Sequence, residues 1–100
     1  MNPTVRTQSA TVTPIASATT ALASNSARVG FMIQNLGTNP LFVKYGSGAT
    51  SSDFSIVLRG SSVADDGTGG VLTSADTAVY TGIITIAGTS PRYAATELAP

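Results

Sequence analysis

From Arg28 to Gly46 the chain reads RVGFMIQNLGTNPLFVKYG, and apolar residues recur at every second position. Val29, Phe31 and Ile33 alternate with Arg28, Gly30, Met32 and Gln34, and Leu41, Val43 and Tyr45 alternate with Phe42 and Lys44. A period of two sends successive side chains to opposite faces of an extended backbone, whereas an amphipathic helix needs a period near 3.6. Between the two runs lies Asn35-Leu36-Gly37-Thr38-Asn39-Pro40, where Gly and Asn accept positive φ. The segment predicts a β-hairpin with a longer loop. Gly30, with no side chain, marks a bulge or a close backbone approach.

The same alternation recurs along the chain. Phe54, Ile56 and Leu58 alternate with Ser55, Val57 and Arg59, which predicts a further strand. Val71-Leu72 reads as a short strand, Val79–Ala87 as a strong one kinked at Gly82, and Arg92–Leu98 as the last. Turn chemistry separates them at Ser24-Asn25-Ser26, Gly46–Asp53, Gly60–Gly70, Ser74-Ala75-Asp76 and Gly88–Pro91. The 15 Thr and 12 Ser suit pleated, half-exposed surfaces, while Lys and Glu, the usual helix-surface residues, are almost missing. The expected fold is all-β: a single small antiparallel β-sandwich or jelly-roll-like domain of about seven short strands.

The first 27 residues differ from the rest. Sixteen of them are Ser, Thr or Ala, and Arg6 is their one charge. Thr11–Ile15 alternates like a strand, and Pro14 confines such a strand to an edge or a bulge. A short second strand is expected near Thr20–Ala23. The expected organisation is an extended N-terminal arm or edge strand over residues 1–20, then the sandwich over residues 21–100.

Charge and residue inventory narrow the chemistry. Five Lys+Arg balance five Asp+Glu, and charged residues are 10% of the chain against a usual share of about a quarter. Five scattered cations give no electrostatic footprint for a nucleic-acid backbone. The sequence holds no His and no Cys. Ordinary zinc, haem and iron–sulfur ligation and the usual Ser-His-Asp and Cys-His triads therefore cannot be assembled from it. The start, MNPTVRTQSA, has no apolar core of a signal peptide, and no run reaches membrane-helix length. The expectation is a non-enzymatic protein with no cofactor, no metal, no nucleic-acid partner and no membrane.

Several residue groups carry alternative readings. Asp65-Asp66-Gly67-Thr68-Gly69-Gly70 offers oxygens on a flexible turn, as calcium sites do, but lacks the later ligands and closing Glu of an EF-hand. Its Asp-Gly and Gly-Gly steps equally make a plain loop. Arg28 and Arg92 open strands and Arg59 closes one. They can pair across a subunit boundary or blunt sheet edges. Phe31, Phe42, Tyr45, Phe54, Tyr80 and Tyr93 could form a sugar platform, though core and interface are the simpler fates for so few rings and no Trp. The residues expected at an interface are Val5, Arg6, Val12 and Ile15 on the arm, with Arg28, Arg59, Asp65, Asp66 and Arg92.

The strand and turn patterns of Arg28–Val43, the glycine loop Gly46–Asp53, the acidic loop Asp65–Gly70 and the run YTGIITIAGTSPRY over Tyr80–Tyr93 resemble small structural proteins of tailed bacteriophages. The resemblance covers most of residues 10–98. It implies a β-sandwich or jelly-roll subunit built into a virion, and in particular a capsid decoration (cement) protein. Such a protein would be made in the host cytoplasm, sit on the capsid exterior as a homotrimer and bridge neighbouring major capsid proteins. A phage tail, baseplate or fibre-attachment module is the alternative, with a carbohydrate-binding adhesion module behind it. The arm Met1–Ile15 and the loops Gly46–Asp53 and Gly60–Gly70 are the expected contact regions.

Overall fold

A computed structural model describes residues 4–11, 15–74 and 78–99. These residues form eight strands: β1 (Thr4–Thr11), β2 (Ile15–Leu22), β3 (Gly30–Asn35), β4 (Leu41–Tyr45), β5 (Ile56–Leu58), β6 (Val71–Thr73), β7 (Ile84–Gly88) and β8 (Arg92–Ala99). One sheet has the order β1-β8-β3-β6 and the other β2-β7-β4-β5. Every strand pair in them is antiparallel. The all-β sandwich expected from the alternation is the fold that forms.

The strand order follows from one folding operation. β1 pairs with β8, β2 with β7, β3 with β6 and β4 with β5, which are the rungs of one long hairpin. Rolling that ribbon sends alternate rungs to opposite sheets and closes two new seams, β3 to β8 and β4 to β7. The product is an eight-stranded jelly roll.

This topology corrects the hairpin expected over Arg28–Gly46. β3 and β4 lie in different sheets, and the Asn35–Pro40 turn is an arch between layers. Of the seven connections, only β4–β5 stays within one sheet. Alternation reports which face of a strand is buried and is silent on which strand lies beside it.

Residues 4–11 and 15–20, read as arm or edge strand, fall in β1 and β2, an edge strand of each sheet. Val12 and Pro14 lie outside the described residues, as do Ala75 and Asp76 of the expected 74–76 turn.

The core lies between the sheets. Ile33, Leu41, Val43, Ile84 and Ile86 are completely buried, each contributing about 1.5–3 kcal/mol of transfer free energy. On β8 the alternation is strict: Tyr93, Ala95, Glu97 and Ala99 point inward. The strand expected from Val79 begins only at Ile84. The carbonyls of Tyr80 and Gly82 accept hydrogen bonds from the Arg28 guanidinium at 2.8 and 3.1 Å, so they are not ladder groups. β5 is shorter than the expected Phe54–Arg59, because Phe54 leaves the strand and packs its ring against Phe42, 5.1 Å between centroids.

Candidate functional site

The two outward sheet faces differ sharply. Thr85 and Ala87 of β7 point away from the core yet are buried, because the loop after β4 folds back over that sheet. The backbone N–H of Ala49 donates to Thr85 Oγ1 at 3.1 Å, and that hydroxyl donates to the Gly46 carbonyl at 2.7 Å. Lys44 Nζ pairs with Asp53 Oδ2 at 2.7 Å, and Phe54 lies on Phe42. A depression of 260 Å³ remains beside the cover, between Pro40, Phe42, Ser51 and Ala87.

The opposite face, on β1-β8-β3-β6, has no such cover among the described residues. Its outward positions include Met32 and Gln34 on β3, Val71 and Thr73 on β6, and Thr96 and Leu98 on β8. Met32 and Val71 are about half exposed, at 47% and 49%. Met32 stands beside both Thr73 and Thr96, and Gln34 beside Val71. A second depression, 320 Å³, opens between Gly30, Met32, Ser74, Thr96 and Leu98. None of these side chains carries charge. In register, β1 extends the row, with Val5 opposite Leu98 and Thr7 opposite Thr96. A neutral, half-apolar, pleated surface of this kind is suited to lying against another protein without stranding a buried charge.

One end of the sandwich is organised by Asn35, a buried residue at the end of β3. Its amide donates to the carbonyls of Asn39, Leu58 and Arg59 at 2.9–3.1 Å, and its Oδ1 accepts from Gly37 N–H at 3.0 Å. That one side chain ties the β3–β4 arch to the end of β5. The 60–70 loop packs alongside it: Ser61 N–H donates to the Gly37 carbonyl and Asp65 N–H to the Leu36 carbonyl. Gly69 approaches the Asn35 carbonyl so closely that a Cβ there would collide with backbone.

The acidic loop is wired internally. Asp65 meets Arg92 in a two-point pair, with Nε to Oδ1 at 2.6 Å and Nη2 to Oδ2 at 2.8 Å. Hydrogen bonding from Arg92 holds the Asp65 carboxyl below the usual carboxylate range and raises the Arg92 guanidinium further. Asp66 accepts from the Thr68 hydroxyl at 2.6 Å, from Thr68 N–H at 2.9 Å and from Val63 N–H at 3.0 Å, which lowers its pKa as well. Asp65 sits at φ 64° and Gly67 at φ 82°, a region that Gly and short polar residues tolerate. The described residues contain no group of three or more acidic side chains placed to hold a metal ion.

At the other end lies Arg28, 4% exposed. It donates to Glu97 Oε1 at 2.9 Å and to the carbonyls of Ala23, Tyr80 and Gly82, and its guanidinium stands 5.7 Å from the Phe31 ring centre. Phe31, Tyr45 and Tyr80 form a chain of rings there, edge-on at 5.9 Å and then stacked at 4.8 Å. Burial pushes the Tyr45 hydroxyl pKa up, and Tyr93 in the core is shifted the same way.

The expected interface residues therefore fall into separate places. Arg28 is corrected: it is neither at a surface nor a solvated strand end, because its own chain encloses it. Asp65 and Arg92 pair within the chain at the loop end, and Arg59, exposed nearby, reaches the Thr68 carbonyl at 3.4 Å. Asp66 is exposed in the same loop. Val5 and Arg6 lie on β1 opposite Leu98 and Glu97, and Ile15 opens β2 opposite Gly88. The open face, Asn35 and Glu97 were not among the expected sites. Glu97 could have been found: it occupies the inward phase of Tyr93, Ala95 and Ala99, where a carboxylate requires a cationic or hydrogen-bonding partner.

Comparison with protein-family models, with curated proteins and with solved structures gives no match to this chain.

Proposed function

We propose that this chain is a non-enzymatic structural subunit of a virion, which decorates a tailed-bacteriophage capsid and stabilises it by bridging neighbouring capsid subunits on the exterior. The observation that carries the reading is the asymmetry of the sandwich. One outward face is sealed by the chain's own loop, and the other is left open among the described residues, neutral and half apolar. The resemblance of Arg28–Val43 and Tyr80–Tyr93 to small phage structural proteins supplies the capsid. Jelly rolls also serve as capsid and lectin domains, which supports the reading by analogy of fold alone.

The mechanism is mechanical. Met32, Val71 and Leu98 leave water when the open face meets the shell, at about 25 cal/mol per Å² of apolar area. A subunit that binds assembled shell and not free capsid protein shifts the balance toward shell by mass action.

The test is binding to purified, undecorated phage heads. Wild-type protein should saturate heads at hundreds of copies each and raise their melting temperature. Thr96→Lys and Met32→Lys, which place a charge on the open face, should bind at least about ten-fold more weakly, about 1.4 kcal/mol, with the free protein's stability intact. Unchanged head binding by both variants overturns the open face as the contact. Saturation at a few copies in the tail, or saturable binding on a glycan array with none to heads, overturns the capsid reading.

A further inference from the structure

A jelly roll leaves four strand edges, and each presents unpaired N–H and C=O groups that can template another chain. Three edges of this one carry devices that discourage pairing. β5 and β6 are only three residues long. β2 has eight residues, but its register with β7 shifts between Ile15 and Thr19 and again between Thr20 and Leu22, so its ladder is irregular. β1 carries none of them. It runs eight residues, Thr4–Thr11, in unbroken register with β8 and contains no Gly and no Pro. Its sole charge is Arg6.

We propose that the outer edge of β1 is a self-association seam, where β1 of a second copy of this chain adds antiparallel about a two-fold axis. The occupant follows from length and regularity. An eight-residue regular edge can be satisfied along its whole length only by another of the same kind, and among the described residues that is β1 itself. Contact with the β2, β5 or β6 edge of a neighbour, as a head-to-tail ring requires, leaves part of β1 unpaired. The seam therefore makes a dimer, in contrast to the trimer that the phage resemblance implies. The sequence TVRTQSAT permits it. Because both members of a facing pair must turn the same edge toward each other, the axis passes at Thr7 or at Gln8 itself; Arg6 then falls opposite Gln8 or Ala10 of the second copy, so no like charges meet. The two sheets become one, in the order β6-β3-β8-β1-β1-β8-β3-β6, and the neutral open faces join into one surface twice as broad.

The experiment uses the full chain in the absence of capsids, so its outcome is independent of head binding. Sedimentation from about 1 μM to about 1 mM, the range of weak to moderate interfaces, should show a monomer–dimer equilibrium. Hydrogen exchange should show every second β1 amide gaining protection as concentration rises, because successive N–H groups of an antiparallel strand point to opposite edges. Thr7→Pro and Gln8→Pro separate the two edges. One removes an N–H facing β8 and the other an N–H facing outward, and the outward variant is the one that keeps β8 amides protected. That variant should sediment as a monomer at all concentrations. A wild-type monomer throughout the range, a trimer, or a dimer that survives in the outward proline variant overturns the seam.

Discussion

Arg28 Nε lies 2.9 Å from Glu97 Oε1, joining the entry to β3 with the inner face of β8 across 69 residues of sequence. The side chains are 0% and 7% exposed, so water does little to screen or replace the contact. Removing one partner from such a pair strands a buried charge and costs about 3–5 kcal/mol, whereas replacing both by apolar residues of similar volume is much milder. Glu97→Ala should therefore lower unfolding free energy in urea by about 3–5 kcal/mol. Arg28→Met should cost at least as much, since it also abandons the carbonyls of Ala23, Tyr80 and Gly82. The Arg28→Met, Glu97→Leu double variant should fall well short of the summed losses. Additive losses would mean that the two groups do not act as a pair.

Asn35 gives a second expectation from the same logic. Its amide serves three carbonyls and its oxygen one N–H, all at the arch between the sheets. Each buried polar group left without a partner costs about 1–3 kcal/mol. Asn35→Leu, similar in size and apolar, should destabilise by at least about 2 kcal/mol and speed amide exchange in both the 35–40 arch and the 59–70 loop. Loss of protection confined to the arch would mean that Asn35 does not tie the two segments together.

These two residues mark the limit of what the sequence discloses. Alternation correctly placed Phe31, Ile33, Leu41, Val43, Ile84 and Ile86 in strands, because burial on one face of a pleat writes itself into a period of two. The partner of each strand has no such local record. Gly37, Asn39 and Pro40 announce a turn, but a hairpin and an arch between layers use the same residues. What decides is where the Asn35 amide finds its carbonyls, two of them on Leu58 and Arg59, more than 20 residues away. The open face was hidden for a related reason. Thr85 and Thr96 both occupy outward positions on strands, and only the return of the 46–55 loop distinguishes them.

The paired carboxylates of the acidic loop set a pH dependence. Asp65 and Asp66 are held below their ordinary pKa by Arg92 and by Thr68 respectively. A depressed folded-state pKa means that the unfolded chain takes up protons first as pH falls. The contribution is complete above the unfolded value, about 3.9, and is lost as pH drops through the folded values below it. Carboxyl carbon NMR should give titration midpoints below about 3.9 for both residues. Asp65→Asn should remove the two-point ion pair with Arg92 and flatten the acid limb of the stability curve. Midpoints at or above the unfolded value would show that neither contact persists in solution.

Two threonines test the difference between the sheet faces without introducing charge. Thr85 Oγ1 accepts from Ala49 N–H and donates to the Gly46 carbonyl, so it fastens the covering loop to its sheet. Thr96 has the same side chain on the open face, beside Met32, with no loop above it among the described residues. Valine keeps the shape of either residue and removes only the hydroxyl. Thr85→Val should cost about 1–3 kcal/mol, because a buried N–H and C=O lose their partner, and it should release the 46–55 amides to exchange. Thr96→Val should stay within about 0.5 kcal/mol of wild type, since the lost hydroxyl faces water and valine suits a strand at least as well. Equal costs at the two positions would mean that the faces are alike, either because the 46–55 loop lifts away in solution or because something covers Thr96. The same pair of melts, repeated with bound heads, should leave the Thr85 value unchanged and alter the Thr96 value, because only the open face changes its surroundings on binding.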